Sequence, residues 1–189
     1  NNKIDLAITD RQSTREGGDI FSSIENVKGG DGNDLIYGDG VNNFLYGEDG
    51  KDRLYGRDGN DRLFGGGKDD VLYGGKGKDR LVGGNGADTL IGEGGKDRLI
   101  GGVGKDTLLG GTGKDTLTGG AGKDIFSLSV NTGRDTITDY ESKDQLKLTG
   151  GITESDLTIN QAGDNVKIKY EGNLMVIVQD TLIADLTFI

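Results

Sequence analysis

Between Gly29 and Ser127 an apolar residue recurs at every ninth position: Ile36, Leu45, Leu54, Leu63, Leu72, Leu81, Leu90, Leu99, Leu108, Leu117 and Phe126. A period of nine is neither the 3.6 of a helix nor the sustained alternation of an ordinary strand. It divides the segment into eleven units of nine residues without an insertion. In each unit the eighth residue is apolar and is flanked by the seventh and ninth, which is the alternation of a very short strand with one inward side chain. The first residue is always Gly, and the fourth is Gly except in the second and fifth units, which carry Val41 and Lys68. Clustered Gly permits positive φ and tight turns. So short a strand cannot bury its own apolar residue, so the units must stack. Two units per turn wind into a two-sheet solenoid with the eighth-position side chains filling a thin interior. The pattern predicts an all-β fold, a right-handed parallel β-roll of nonapeptide repeats over residues 29–127.

The flanks follow other patterns. Residues 1–28 read as a lead-in and cap, with Ile20, Ile24 and Val27 before the first unit. Val27 falls in the eighth-position column and Glu25 in the sixth, where it would add a carboxylate above Asn43. After Ser127 ordinary strand patterns return at 136–138, 145–148, 157–159, 166–170 and 174–178. Gly163-Asp164-Asn165 and Glu171-Gly172-Asn173 supply turns between the later ones. Residues 128–189 are therefore expected to form an antiparallel β cap, since an open last turn exposes strand edge and interior.

Composition narrows the function. The chain has 189 residues, 37 of them Gly, with no Pro, Cys, His or Trp, and a formal charge of −10. No Cys means no disulfide framework and no thiolate metal site. Without His the commonest general base and the usual zinc ligand are missing, and no nucleophile–base pair is evident, so no enzyme activity is expected of this segment. No apolar run reaches the roughly 18 residues that span a bilayer. The acidic balance argues against nucleic acid, which would call for a basic face. No apolar stretch follows Asn1-Asn2-Lys3, so the chain is expected to lack an N-terminal secretory signal and to be cut from a longer protein whose other domain lies upstream.

The acidity has a pattern. The sixth position is Asp34, Asp52, Asp61, Asp70, Asp79, Asp88, Asp97, Asp106, Asp115 and Asp124, with Asn43 in the remaining unit. Taken at every second unit, these residues stack into two ladders, giving eight Asp–Asp pairs and one Asn43–Asp61 pair. Carboxylates at strand spacing repel by about 1 kcal/mol per pair even in bulk water. A cation between the rungs removes the penalty. A hard ion accepting six or more oxygens, carbonyls of Gly-rich loops included, fits this geometry, which selects Ca²⁺ over the strictly octahedral Mg²⁺. About eight or nine Ca²⁺ are expected, and that many would reverse the sign of the net charge.

The pattern G-G-x-G-x-D-x-U-x, as in Gly74-Gly75-Lys76-Gly77-Lys78-Asp79-Arg80-Leu81-Val82, resembles the RTX (repeats-in-toxin), or haemolysin-type, calcium-binding β-roll of secreted bacterial proteins. The resemblance covers residues 29–127. It implies that each Ca²⁺ is held by sixth-position carboxylates of two stacked loops and by loop carbonyls. On this chain the carbonyls are those of Gly30, Gly32, Gly50, Gly59, Gly66, Gly75, Gly77, Gly84, Gly86, Gly95, Gly102, Gly104, Gly111, Gly113, Gly120 and Gly122. Departures fall at Asp39-Gly40-Val41, Glu48, Arg57, Glu93 and Gly67-Lys68-Asp69; Asn43 lacks a charge and Val41 restricts the loop, so the second unit is the expected weak site. The segment from Gly133 to Tyr140 resembles the one that closes the roll in secreted proteases of the family, which implies metal contact by Asp135 and Asp139. The ending Ala184-Asp185-Leu186-Thr187-Phe188-Ile189 resembles the uncleaved C-terminal signal of type I secretion substrates. The partners so implied are calcium, an upstream domain of the parent chain and a type I secretion apparatus, in an extracellular bacterial setting.

Two outward rows remain. Position nine carries Tyr37, Tyr46, Tyr55, Phe64 and Tyr73, for which cross-strand packing is the simpler reading. Arg62, Arg80 and Arg98 form a row at every second unit, while Lys51, Lys78, Lys96, Lys105, Lys114 and Lys123 each precede the sixth-position Asp. Solvated charge explains these cations. The sharper alternative is an adhesion or anionic-polysaccharide surface.

Overall fold

A computed structural model describes residues 3–5, 12–14, 17–19, 25–129, 133–181 and 183–189. Ile20 and Ile24 lie outside the described residues. The repeats wind as a parallel β-solenoid in which successive units alternate between two sheets. Odd units give the first sheet Leu35–Tyr37, Arg53–Asp58, Val71–Gly77, Thr89–Gly95, Thr107–Leu109 and Ile125–Leu128. Even units give the second Phe44–Asp49, Arg62–Gly67, Arg80–Asn85, Arg98–Val103 and Thr116–Ala121. Every pairing between neighbouring turns of the repeat joins positions two units apart, as in Leu72↔Leu90 and Leu81↔Leu99. All eleven eighth-position side chains are completely buried. Each interior leucine therefore rests on others above and below, and its burial contributes roughly 1.5–3 kcal/mol.

The solenoid outruns the repeats at both ends. Lys3–Asp5 pairs in parallel with Leu35–Tyr37, which sets Ile4 over Ile36. Asn26–Lys28 pairs with Phe44–Asp49, setting Val27 over Leu45 as the eighth-position frame requires. Glu25 is exposed, and its carbonyl accepts the Phe44 N–H at 2.6 Å.

At the other end the expected antiparallel cap starts later than the sequence pattern suggests. Asp135–Ile137 lies parallel to Thr116–Ala121 with Leu117↔Ile137, and Gln145–Leu148 lies parallel to Ile125–Leu128 with Phe126↔Leu146. These two strands continue the roll, but each takes a step slightly longer than two repeat units. The antiparallel part comprises Leu157–Ala162, Asn165–Tyr170 and Asn173–Val178. Its last strand runs parallel to Asp135–Ile137, with Ile137↔Val178, and so covers the open edge of the second sheet. The first sheet is closed by the chain end, where the Leu146 N–H donates to Thr187 O at 2.7 Å and the Ile189 N–H to Leu146 O at 3.0 Å. Among the described residues no helix is long and apolar enough to cross a membrane.

Candidate metal centre

The loops that join the two sheets stack as regularly as the strands. Their register brings the sixth-position residues into two columns, Asp34–Asp52–Asp70–Asp88–Asp106–Asp124 and Asn43–Asp61–Asp79–Asp97–Asp115, none more than 3 % exposed. Within a column, Oδ1 of each Asp from Asp52 onward accepts the backbone N–H of the sixth-position residue one turn earlier. Representative distances are 2.8 Å from Asp52 N to Asp70, 2.8 Å from Asp61 N to Asp79, and 2.9 Å from Asp106 N to Asp124. This fixes the carboxylates along the axis.

The second oxygen is treated differently. Oδ2 of Asp52, Asp61, Asp70, Asp79, Asp88, Asp97, Asp106, Asp115 and Asp124 is buried and accepts no hydrogen bond. It lies beside the first-position Gly of its own unit. On the same side of that Gly stands the carbonyl oxygen of the first-position Gly one turn on. A methyl group on Gly83 would overlap Asp88 Oδ2 and would come within 2.6 Å of Gly101 O. That accounts for Gly at every first position, where positive φ is not required.

Positive φ recurs at the second and fourth positions, for example 119° at Gly84 and 142° at Gly104, with Asp39, Val41 and Gly50 as exceptions. Carbonyl oxygens stack there too. Those of Gly32, Gly59, Gly77, Gly86, Gly95 and Gly104 face the fourth-position Gly of the next turn, that of Gly113 faces Gly133 beyond the repeats, and those of Gly66, Gly84 and Gly102 face a second-position Gly. The carbonyls of Val41, Glu48, Arg57, Lys68 and Glu93 take the same places in their columns. The carbonyl rows therefore pass through the non-glycine units, which a search for Gly alone overlooks. Gly77 O and Gly113 O also accept the N–H of Lys96 and Arg134, at 3.2 and 2.9 Å.

Glu48, Arg57, Lys68 and Glu93 adopt the left-handed conformation that Gly would take freely, with φ between 71° and 78°. Such positions cost a side-chain-bearing residue on the order of 1 kcal/mol. Replacing Glu93, which is exposed, with Gly is expected to stabilise the folded chain by a few tenths to about 1 kcal/mol, the left-handed strain relieved being partly offset by the entropy of Gly. A thermal melt in saturating calcium would show this as a higher Tm, whereas a fall would count against the strain.

The second unit departs most. Asn43 Oδ1 accepts the Asp39 N–H at 2.9 Å, and Asp39 Oδ1 accepts the N–H of Val41 at 3.0 Å and Asn43 Nδ2 at 3.3 Å. The side chains of this loop satisfy one another.

The ladders continue into the longer turns that follow. Asp135 Oδ1 accepts the Asp115 N–H at 3.1 Å, and Asp144 Oδ1 accepts the Asp124 N–H at 3.0 Å. Asp135, a candidate ligand by resemblance, thus extends the second column by one rung. Asp144, 1 % exposed, adds a rung that the nine-residue frame does not reach, although Lys143-Asp144-Gln145-Leu146 repeats the spacing of Lys123-Asp124-Ile125-Phe126. Its Oδ2 accepts the Glu141 N–H at 2.8 Å. Asp139 is likewise taken up, its two oxygens accepting the N–H groups of Gly119 and Gly120 at 2.9 and 2.8 Å.

Burial drives the carboxyl pKa values upward. It raises Asp61, Asp70, Asp97 and Asp106 to about 7, and Asp79 and Asp88 to about 6, against the partial relief given by each Oδ1 hydrogen bond. Asp115 and Asp135 are raised for the same reason and face each other across one step. Among the described residues no three carboxylates converge, so a cation in these columns would draw on paired carboxylates and on carbonyls. The donor set is all oxygen and, at Oδ2, free of competing N–H groups. It suits a hard divalent ion.

The RTX calcium-binding nonapeptide repeat model matches at residues 28–63, 55–90, 73–108 and 100–129. No curated protein sequence matches the chain. Among solved structures, the extracellular lipase LipA of Serratia marcescens is 19 % identical with a TM-score of 0.44, over 89 % of this chain and 40 % of the lipase. The AlgE6R3 subunit of the Azotobacter vinelandii mannuronan C5-epimerase is 27 % identical with a TM-score of 0.31, over 66 % of this chain and 80 % of that subunit. The four matches to the repeat model together span more than half of the 189 residues, so the chain belongs to the family of RTX calcium-binding nonapeptide repeats.

Proposed function

We propose that the chain is a secreted structural module that folds when its loops take up calcium outside the cell, and that it carries no catalytic activity of its own. The observation behind this is the row of buried Oδ2 atoms that accept no hydrogen bond. A buried carboxylate oxygen without a donor is costly unless a proton or a cation compensates it. Each ion would be held by the Oδ2 atoms of successive rungs, such as Asp70 with Asp88 or Asp79 with Asp97, and by the loop carbonyls around them. Calcium supplies the positive charge that lets both columns stay ionised in the folded state.

Eight or nine ions follow from the nine-residue frame, and Asp115 with Asp135 offers one position more. Asp139 and Asp144, with both oxygens hydrogen-bonded, serve as the end plate of the first column and need no metal. Where calcium is scarce, as in bacterial cytosol, repulsion along the ladders keeps the chain open enough to pass a type I secretion channel. Millimolar calcium outside, the range of extracellular modules, then folds it and keeps it from returning. An upstream domain of the parent chain would be the cargo.

Far-UV circular dichroism with excess chelator and then with calcium tests the proposal. The β signal should be lost in chelator and return cooperatively with calcium, but not with equimolar magnesium. An unchanged β signal in chelator would overturn it.

A further inference from the structure

The two outer faces of the solenoid differ in charge. At the fifth, seventh and ninth positions of the odd units the first sheet carries one acid, Asp69, among Lys51, Arg53, Lys105 and Lys123, and Lys51 Nζ lies 2.6 Å from Asp69 across one turn. On the second sheet the exposed acids of the repeat strands are Glu48 and Asp49, at one end in Phe44–Asp49, where Glu48 pairs with Lys28 at 2.9 Å; no acid stands at any fifth, seventh or ninth position from Asn42 to Thr118. That stretch carries Arg62, Arg80 and Arg98 in one row, and Lys78, Lys96 and Lys114 in the next, all six exposed. The parallel register Arg62↔Arg80↔Arg98 sets the guanidinium-bearing residues one strand apart, about 4.8 Å. Among the described residues none of the six forms an ion pair with a carboxylate, and Arg62 instead lies over the Phe44 ring at 5.0 Å. A half-buried apolar row, Phe64, Val82 and Ile100, runs along the other side of the arginines.

We infer that this face of the second sheet binds a linear acidic polysaccharide carrying a carboxylate on each sugar ring, a polyuronate, laid along the solenoid axis. Two observations select that occupant. The cations repeat in a straight line at the spacing of successive strands, which matches a stiff chain with one carboxylate per ring better than scattered anions. The arginine row borders an apolar row, so the C–H faces of pyranose rings meet Phe64, Val82 and Ile100 while the carboxylates meet the guanidinium forks, which hold carboxylates bidentately. Like charges stacked along a column call for a counter-charge, as in the aspartate ladders. Here the column is open to solvent, so the counter-charge comes from a polymer and not from an enclosed ion. The inference rests on the calcium-dependent folding proposed above, which rigidifies the lattice and removes the excess negative charge of the empty chain.

The test is isothermal titration of the calcium-saturated chain with a galacturonate hexamer equilibrated in the same calcium buffer, circular dichroism first establishing the fold. The hexamer should bind with an affinity that falls steeply with salt. Arg80→Glu/Arg98→Glu, which touches only exposed side chains, should weaken binding by at least about tenfold with the calcium midpoint unchanged. Lys51→Glu on the opposite face should leave binding unaltered. Failure of the folded protein to bind, equal binding by the double variant, or tighter binding of polyglutamate, oligo-dT or anionic vesicles would each overturn the inference while leaving calcium-dependent folding intact. A chain that does not fold in calcium would overturn both.

Discussion

Gly83→Ala should destabilise the calcium-loaded protein by about 3 kcal/mol or more, the upper end of what overpacking costs. The added methyl would overlap Asp88 Oδ2 and crowd the backbone carbonyl of Gly101. Neither can yield easily. Asp88 is held by the Asp70 N–H at 2.8 Å, and Gly101 belongs to the strand Arg98–Val103. Relief requires moving a rung of the ladder or separating two turns, and either also spoils the oxygen pair proposed to face the metal. The variant should therefore show a lower Tm and a higher calcium midpoint together. Gly40→Ala is the matched control, since nothing lies within 4 Å of its Cβ position and its φ is not left-handed. It should stay within about 0.5 kcal/mol of the parent. Similar Tm values for the two variants would refute the steric account of the first-position Gly.

Acidification should act in opposite directions on the loaded and the empty chain. Carboxyls raised by burial to about 6 or 7 hold their protons in the fold at pH values where the unfolded chain has lost them. Between roughly pH 4 and 7 the folded state thus binds more protons, and metal-free stability falls as pH rises through that window. In chelator, β structure absent at pH 7.5 should grow toward pH 4, because protons neutralise the ladders in place of the cation. With calcium present the same protons compete for the ligands, so the calcium midpoint should rise as pH drops and loading should release protons. Circular dichroism against pH, with and without chelator, checks both limbs. A metal-free β signal that is flat or grows with pH would contradict the burial of these groups.

Most of the fold was legible because one nine-residue frame carried both the interior and the acid column. Leu81 and Asp79 could be assigned to inside and loop without reference to any other part of the chain. The frame was lost at Ser127 for a simple reason: each of the next two steps is slightly longer than two repeat units. Arg134-Asp135-Thr136-Ile137 and Lys143-Asp144-Gln145-Leu146 keep the local order of charge, acid and apolar residue, but a fixed period passes over them. By pattern alone they read like the antiparallel strands that follow. The resemblance implied metal contact for Asp139, whose two oxygens accept the N–H groups of Gly119 and Gly120. A carboxylate that takes two backbone N–H groups and one that faces a cation look alike in sequence, and only the turn beneath decides between them. Similarly, nothing in Lys3-Ile4-Asp5 announces a strand that extends the first sheet, because its partner, Leu35–Tyr37, lies beyond the whole lead-in segment.

The alternation of units between sheets gives the chain a parity. Inserting or deleting two whole units adds or removes a complete turn and leaves every downstream side chain on its own face. A change of one unit keeps the interior filled and the acid columns populated, yet sends every later odd unit to the even side. The arginine file, built from units four, six and eight, would then be broken across opposite surfaces of an otherwise sound solenoid. Length in this architecture is thus free to drift by single units as far as folding is concerned, while any surface spanning several turns confines it to pairs.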